Sequence, residues 1–284
     1  IVNGAECEPY LTADHRLMLE DPDAIIRGAQ LARRAVGART ILFAVEDNKP
    51  DAYDALKKSA SVLADARAEI LPTRYPQGAE KQLIKALAGR EVPSGGLPLD
   101  VGIVVQNVAT CAAIYYALSF NRPLIDRIVT VTGPCAASPG NFRVRIGTPY
   151  ADLLKVVGFS RPPKRVVMGG PLMGIAQPSL DIPVTKGTSG LLLLDEIPAD
   201  HWLPCIRCGK CVRACPVSIM PNELGVLLEF GQLDQASSLN LLDCIECGCC
   251  TYVCPSMRPI VNWVKAGKAD LAERRARQQR KAAK

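Results

Sequence analysis

Outside its last twenty residues this chain has no surplus of charge of either sign. The 284 residues carry 34 Lys and Arg against 28 Asp and Glu, and the eight basic and two acidic residues of 265–284 supply the whole net +6. That tail has no aromatic residue among its charges, no apolar stripe and no binding module beside it, so it is expected to be a solvated helix or a disordered segment with no nucleic-acid partner. Removing it after Val264 takes away charge but no candidate ligand, and is expected to leave the chemistry intact. Long apolar runs are scarce as well. Residues 101–120 are free of charge, but Gln106 and Asn107 interrupt them after a short β-branched run. The pattern predicts a buried strand over 101–105, a polar turn and a buried helix to about 119, rather than a membrane span. The chain opens on Ile1 rather than Met, directly on a dense motif, as is expected of a fragment.

What the chain does have is cysteine at a fixed spacing. Eight of the twelve fall into two copies of one pattern, Cys205-x2-Cys208-x2-Cys211-x3-Cys215-Pro216 and Cys244-x2-Cys247-x2-Cys250-x3-Cys254-Pro255. Three thiolates three residues apart can wrap one cubane iron–sulfur cluster in a tight loop, and the fourth must come from farther away. In two-cluster ferredoxins the last cysteine of each run serves the other cluster. Cys205, Cys208, Cys211 and Cys254 are therefore assigned to one centre, and Cys244, Cys247, Cys250 and Cys215 to the other. Zinc has no use for a third cysteine in the same register followed by Cys-Pro, and disulfides fit neither the tight loops nor a chain of this length. Two complete sets predict two [4Fe–4S] clusters and an electron carrier. Cys249, Cys7, Cys111 and Cys135 are expected to be packing residues.

Upstream, Asp21-Pro22 with Ile25, Ile26, Ala29, Leu31 and Ala32 predicts a capped amphipathic helix closed by Gly37, and 40–45 a strand. A helix over about 50–66, a strand at 69–71 and a helix over about 79–89 continue the rhythm, which argues an α/β layer with a largely parallel sheet. After residue 123 the texture changes to a small α+β unit, with strands at 126–132, 142–146, 164–168 and 190–194 and a helix from Thr148-Pro149 to Val157. Between the cysteine runs, Leu224, Leu227, Leu228 and Phe230 predict an amphipathic helix over about 222–231, hence a helical two-cluster module.

The opening Asn3-Gly-Ala-Glu-Cys-Glu-Pro9 puts two carboxylates two residues apart in an expected loop. Tyr75 to Glu80 and Gln106 to Thr110 could each be a mere turn, but all three lie at strand-to-helix junctions, where an α/β sheet places ligand sites. Residues 3–12 with 14–18 resemble the flavin-binding stretch of the NADH-oxidising 51 kDa subunit of respiratory complex I. Tyr75 to Glu80 is similar to its Tyr-x-x-Gly-Glu-Glu loop, and Gln106-Asn-Val-Ala-Thr110 to its Asn-Asn-Val-Glu-Thr turn. With the paired cluster motifs, residues 1–265 resemble the C subunits of Rnf (Rsx) complexes, ion-translocating ferredoxin:NAD oxidoreductases.

That resemblance implies three folded parts and a tail: a complex I 51 kDa-like α/β flavin/NADH-binding domain over 1–121 with its N-terminal part missing, a β-grasp soluble-ligand-binding domain with connecting strands over 122–197, a two-[4Fe–4S] ferredoxin-type domain over 198–264, and the basic tail 265–284. It implies noncovalent FMN contacted by Asn3, Gly78, Glu80, Asn107 and Thr110, and NAD(H) facing Glu8. It implies partners in a membrane-embedded complex, with ferredoxin or an iron–sulfur subunit among them, and a peripheral place on the cytoplasmic face of a bacterial inner membrane. The chain departs from the complex I motifs at Ala5, Cys7, Ala79 and Gln106, and the family's glycine-rich phosphate loop would lie upstream of Ile1. Two other readings stay open: a flavin and iron–sulfur cobalamin reductase of a diol-utilisation compartment, and a non-catalytic protein that only wires electrons between neighbours.

Overall fold

A computed structural model describes residues 1–197 and 201–282. The chain divides into two compact units, Ile1–Ile197 and Pro198–Lys284.

The first unit begins with β1 (Val2–Gly4), α1 (Ala13–Glu20), α2 (Pro22–Val36), β2 (Ile41–Glu46), α3 (Pro50–Ala60), β3 (Ala66–Leu71), α4 (Glu80–Ala88), β4 (Gln106–Asn107) and α5 (Val108–Phe120). Its strands form an all-parallel sheet in the order β3-β2-β1-β4. The order reverses direction between β1 and β4, and such a switch point opens a crevice at the carboxyl ends of the strands.

The apolar stripe of α2 folds as its spacing demands. Ala24, Ile25, Ile26 and Ala29 are buried, and Gly37 ends the helix in the left-handed region with φ 66°. Gly28 is fixed by packing, since a Cβ there would stand 1.7 Å from the Cys111 carbonyl oxygen on α5. Cys111 is fully buried at that crossing. Asp21 precedes the helix without capping it; its carboxylate accepts instead from the Tyr116 hydroxyl at 2.5 Å.

Several expectations change here. The strand lies at Gln106–Asn107 rather than 101–105, because those two residues carry the register to β1, Val2 against Gln106 and Asn3 against Asn107. Residues 98–101 form a 3-10 turn closed by Gly102 at φ 70°, which consumes the start of the β-branched run. The opening motif is not all loop, since its first residues are β1. The helix expected to reach 66 stops at Ala60, and β3 starts earlier than 69, at Ala66.

The unit continues with β5 (Asp126–Thr132), β6 (Gly140–Arg145), α6 (Tyr150–Val157), β7 (Arg165–Met168), β8 (Ile175–Ala176) and β9 (Gly190–Leu194), a mixed sheet in the order β6-β5-β9-β7-β8. Val129, Val131, Leu191 and Leu193 alternate inward against Tyr150, Leu153 and Leu154 of α6.

The second unit contains α7 (Lys210–Arg213), α8 (Pro221–Glu229), α9 (Leu233–Ser238), α10 (Cys249–Tyr252) and α11 (Ile260–Ala282). Leu224, Leu233, Ala236, Leu241 and Val264 form its core. Phe230, expected on the apolar face of α8, stands outside it at 72% exposed because the helix ends at Glu229. The basic tail is the continuation of α11, without a break at 265. It is solvated only in its outer part: Leu271 packs on the core, and a Cβ at Gly267 would lie 2.5 Å from Leu228.

Candidate functional site

The two cysteine motifs fold as copies of each other. Arg207 and Glu246, Gly209 and Gly248, and Ser218 and Met257 occupy equivalent places and all have positive φ. A short helix, α7 or α10, follows the glycine each time. Left-handed residues inside such a turn aim successive backbone N–H groups inward, the concave arrangement that surrounds an anionic iron–sulfur core. One such contact is already made, from the Glu246 N–H to the Cys244 sulfur at 3.4 Å.

Cys205, Cys208, Cys211 and Cys254 line one cavity. Cys215, Cys244, Cys247 and Cys250 line another, with Cys249 beside them. Each set thus takes three sulfurs from one motif and the last cysteine from the other. Among the described residues no three His, Cys, Asp or Glu side chains are arranged to hold a single metal ion; the thiols ring cavities instead, as ligands of a multi-iron core must. Burial pushes the Cys247 and Cys250 thiols up to about 12, and raises Cys211 and Cys244. Bare thiolates are disfavoured there, and coordination to a cationic centre is what deprotonates them. The residues fit two cubane clusters.

Two cations support these loops. Buried Arg258 lines the first cavity, pairs with Glu229 at 2.5 Å and stacks over Trp263. Lys268 of α11 donates to the Cys244 carbonyl at 2.5 Å and to Glu246 at 2.8 Å. In the sequence Lys268 counts only as tail charge, and nothing local marks its role.

The second candidate region is the carboxyl edge of the parallel sheet. Asn3 and Asn107 sit side by side across β1 and β4, at the switch point. The Asn3 amide donates to the Gly78 carbonyl at 2.9 Å. Gly78 is held against β1 so closely that a Cβ would lie 2.2 Å from the Ala5 carbonyl oxygen. Asn107 caps α5 by accepting from the Ala109 N–H at 2.8 Å, and its amide donates to Asp14 at 2.6 Å. Both amides therefore brace the edge. Glu80 and Thr110, at the starts of α4 and α5, are exposed beside it.

Glu8 has a different setting. Its carboxylate accepts from the Leu172 and Met173 N–H groups at 3.2 and 2.7 Å, tying the 169–174 loop to the flavin-type motif. Gly170 is required there, because a Cβ would fall 2.1 Å from the Glu8 carboxylate.

Between these residues lies a charged cluster that motif reading largely missed. Glu6 accepts from the N–H groups of Asp14 and His15 at the start of α1. Burial, then the nearby Asp14 charge, raises its pKa to about 7. Asp14 is raised as well, by burial. Lys49 is buried, donating to Glu46 at 2.7 Å and to the Glu6 carbonyl at 3.3 Å. The second Glu46 oxygen is buried without a hydrogen bond. The available signal was position: Glu46 ends β2 at the carboxyl edge.

This geometry defines a class: an α/β flavin-type domain whose switch-point edge carries a polar cluster, followed by a mixed-sheet domain and a duplicated eight-cysteine module. Comparison with known proteins agrees. Residues 1–116 match the Nuo51 FMN-binding domain, 128–176 the SLBB domain and 204–258 the 4Fe-4S dicluster domain.

The chain belongs to the family of C subunits of ion-translocating oxidoreductase complexes. It is 48% identical over 82% of its length to the C subunit of the proton-translocating ferredoxin:NAD(+) oxidoreductase complex of Clostridium ljungdahlii, covering 51% of that protein. Identity is 46% over 97% of the chain with the Na(+)-translocating counterpart of Acetobacterium woodii, covering 63% of it. With the C subunit of the ion-translocating oxidoreductase complex of Rhodobacter capsulatus it is 44% over 98%, covering 54%. The chain spans roughly half to two thirds of the length of these relatives. In fold it is similar to a chain of an NAD+-reducing [NiFe]-hydrogenase, with a TM-score of 0.63 at 18% identity, covering 98% of this chain and 60% of that one. Among the described residues no helix is long and apolar enough to cross a membrane.

Proposed function

We propose that this chain is the electron-transfer part of a C subunit in a membrane-bound ion-translocating oxidoreductase, moving electrons between NAD(H), FMN and two [4Fe–4S] clusters, to or from ferredoxin and the membrane partners. The observation that carries the reading is the grouping of eight cysteines into two cavity-lining sets, each completed by a cysteine from the opposite motif. Supporting it are the three family matches in their order along the chain. Its place is the cytoplasmic face of a bacterial inner membrane, held peripherally through the other subunits.

Flavin bound at the sheet edge supplies the exchange between two-electron hydride chemistry and the one-electron chemistry of the clusters. The chain's own residues do the positioning. Asn3 and Asn107 fix the edges of β1 and β4 against Gly78 and Asp14, and Glu80 and Thr110 stand beside that edge for polar contact with FMN. Glu8 joins the 169–174 loop to the same edge, where NAD(H) enters. Glu6, with its pKa near 7, can hold or release a proton beside the site in the neutral range. The two cysteine sets hold the clusters, while loop N–H groups, Arg258 and Lys268 set the charge and burial around them.

The test is an anaerobic titration of NADH into the protein after reconstitution with iron, sulfide and FMN. Bleaching of cluster absorbance supports the proposal. Loaded clusters that stay oxidised would leave electron wiring without a nucleotide as the better account.

A further inference from the structure

The two cysteine loops repeat one backbone but not one surface. Arg207 and Glu246 stand at the same place, between the first and second cysteines, with φ of 53° and 58°. One loop presents a guanidinium where the other presents a carboxylate. In the first loop Ile206, Arg207, Cys208, Lys210, Val212 and Arg213 are all exposed, and residues 201–220 contain no acidic residue. None of its three cations enters an ion pair among the described residues. The second loop is sheltered. Cys247, Gly248 and Cys250 are buried, and Glu246 is held by Lys268.

Electron exchange between proteins weakens steeply with separation, so a carrier must approach the set whose ligands reach the surface. Cys208 is exposed, whereas every other cysteine in the two sets is buried or half-buried. Exposed apolar side chains beside it offer area to desolvate, and unpaired positive charge steers a negative partner. We infer that Ile206–Arg213 is the docking port through which an acidic single-electron carrier protein exchanges electrons with the cluster held by Cys205, Cys208, Cys211 and Cys254. The inference rests on the iron–sulfur reading above and adds to it which set faces the partner and the partner's charge.

The test uses two small oxidants of opposite charge on the anaerobically reduced, reconstituted chain: anionic ferric EDTA and cationic hexaammineruthenium(III). In each reaction one electron leaves a reduced cluster and lowers the acceptor metal by one oxidation state, with no bond or proton moved. The wild-type chain should favour the anion, and the preference should shrink as salt rises. Combining Arg207→Glu, Lys210→Glu and Arg213→Glu should lower the anion rate by about tenfold and raise the cation rate. Glu246 already occupies the equivalent left-handed position, so the loop tolerates an acid there. Combining Arg275→Glu, Arg280→Glu and Lys281→Glu makes the same change of net charge on the exposed outer part of α11, and should alter neither rate by as much as twofold. An acidic two-cluster ferredoxin should compete with ferric EDTA for the wild-type chain and not for the loop variant.

An unchanged rate ratio in the loop variant, an equal effect from the tail variant, or no competition by ferredoxin overturns the port. Iron content and the electron paramagnetic resonance spectrum are read on every sample. Absence of clusters from the wild-type chain would instead strike the iron–sulfur reading itself.

Discussion

Cutting the chain after Val264 should damage one cluster site, although the cut removes no cysteine. Lys268 is lost, and with it the hydrogen bonds to the Cys244 carbonyl and to Glu246, in a setting where the Lys and Glu side chains are only 19% and 32% exposed. A charged hydrogen bond in such a setting contributes about 1.5 to 3 kcal/mol. Leu271 also leaves the core it shares with Leu224, Leu233 and Val264, at a further cost of about 1 to 2 kcal/mol for a partly buried leucine. The sum, about 2.5 to 5 kcal/mol, is a large share of the 5 to 15 kcal/mol that holds a typical domain. The cut should therefore lower the denaturation midpoint of the second unit and release iron from the set containing Cys244. A cut after Glu273 keeps both residues and should match the intact chain. Lys268→Met should reproduce roughly half of the loss. The assay is anaerobic reconstitution followed by iron and sulfide determination and urea denaturation. Equal iron and equal midpoints for the two truncations would refute the reasoning and restore a tail that is solvated from 265 onward.

Three further outcomes are expected. Glu6 keeps its proton to about 7 in the folded chain against 4.5 for an ordinary glutamate, so between those values the folded state binds more protons than the unfolded one. Stability of the first unit should fall as pH rises from about 4.5 to about 7, and Glu6→Gln should flatten that slope in pH-dependent denaturation; an unchanged slope counts against the coupling of half-buried Glu6 with Asp14. Gly28→Ala should destabilise by about 1 to 3 kcal/mol because its Cβ must push α2 away from Cys111, and a neutral effect on thermal unfolding would contradict the close crossing. Cys249→Ala should retain both clusters in iron analysis, since each cavity already has four cysteines without it; loss of iron would make Cys249 a ligand.

Legibility in the sequence followed the physics of each signal. The stripe of α2, its closing Gly37 and the strand–helix rhythm could be read because burial and left-handed φ leave local marks. Gln106 and Asn107 could not be read as a strand, because two polar residues pair with β1 only through a register set by distant chain. Asp21 looked like a helix cap, yet Tyr116, far along the sequence, takes its carboxylate. At the sheet edge the motifs singled out Asn3, Gly78 and Asn107. They could not show that both amides brace neighbouring backbone and carboxylate, or that Glu8 ties the 169–174 loop. Lys49 left no signal and Glu46 only its place at the end of β2, since a buried ion pair is made by the fold around it.

The most direct measurement is the iron and the spectrum that survive loss of each crossing cysteine. Cys215→Ala and Cys254→Ala, each reconstituted anaerobically and examined by electron paramagnetic resonance, should lose opposite clusters. Cys215→Ala should lose the centre shared with Cys244, Cys247 and Cys250 and keep the one at Cys205, Cys208 and Cys211, and Cys254→Ala the reverse. If each variant instead lost the centre of its own motif, or if neither changed the iron bound, the crossed two-cluster account would be contradicted.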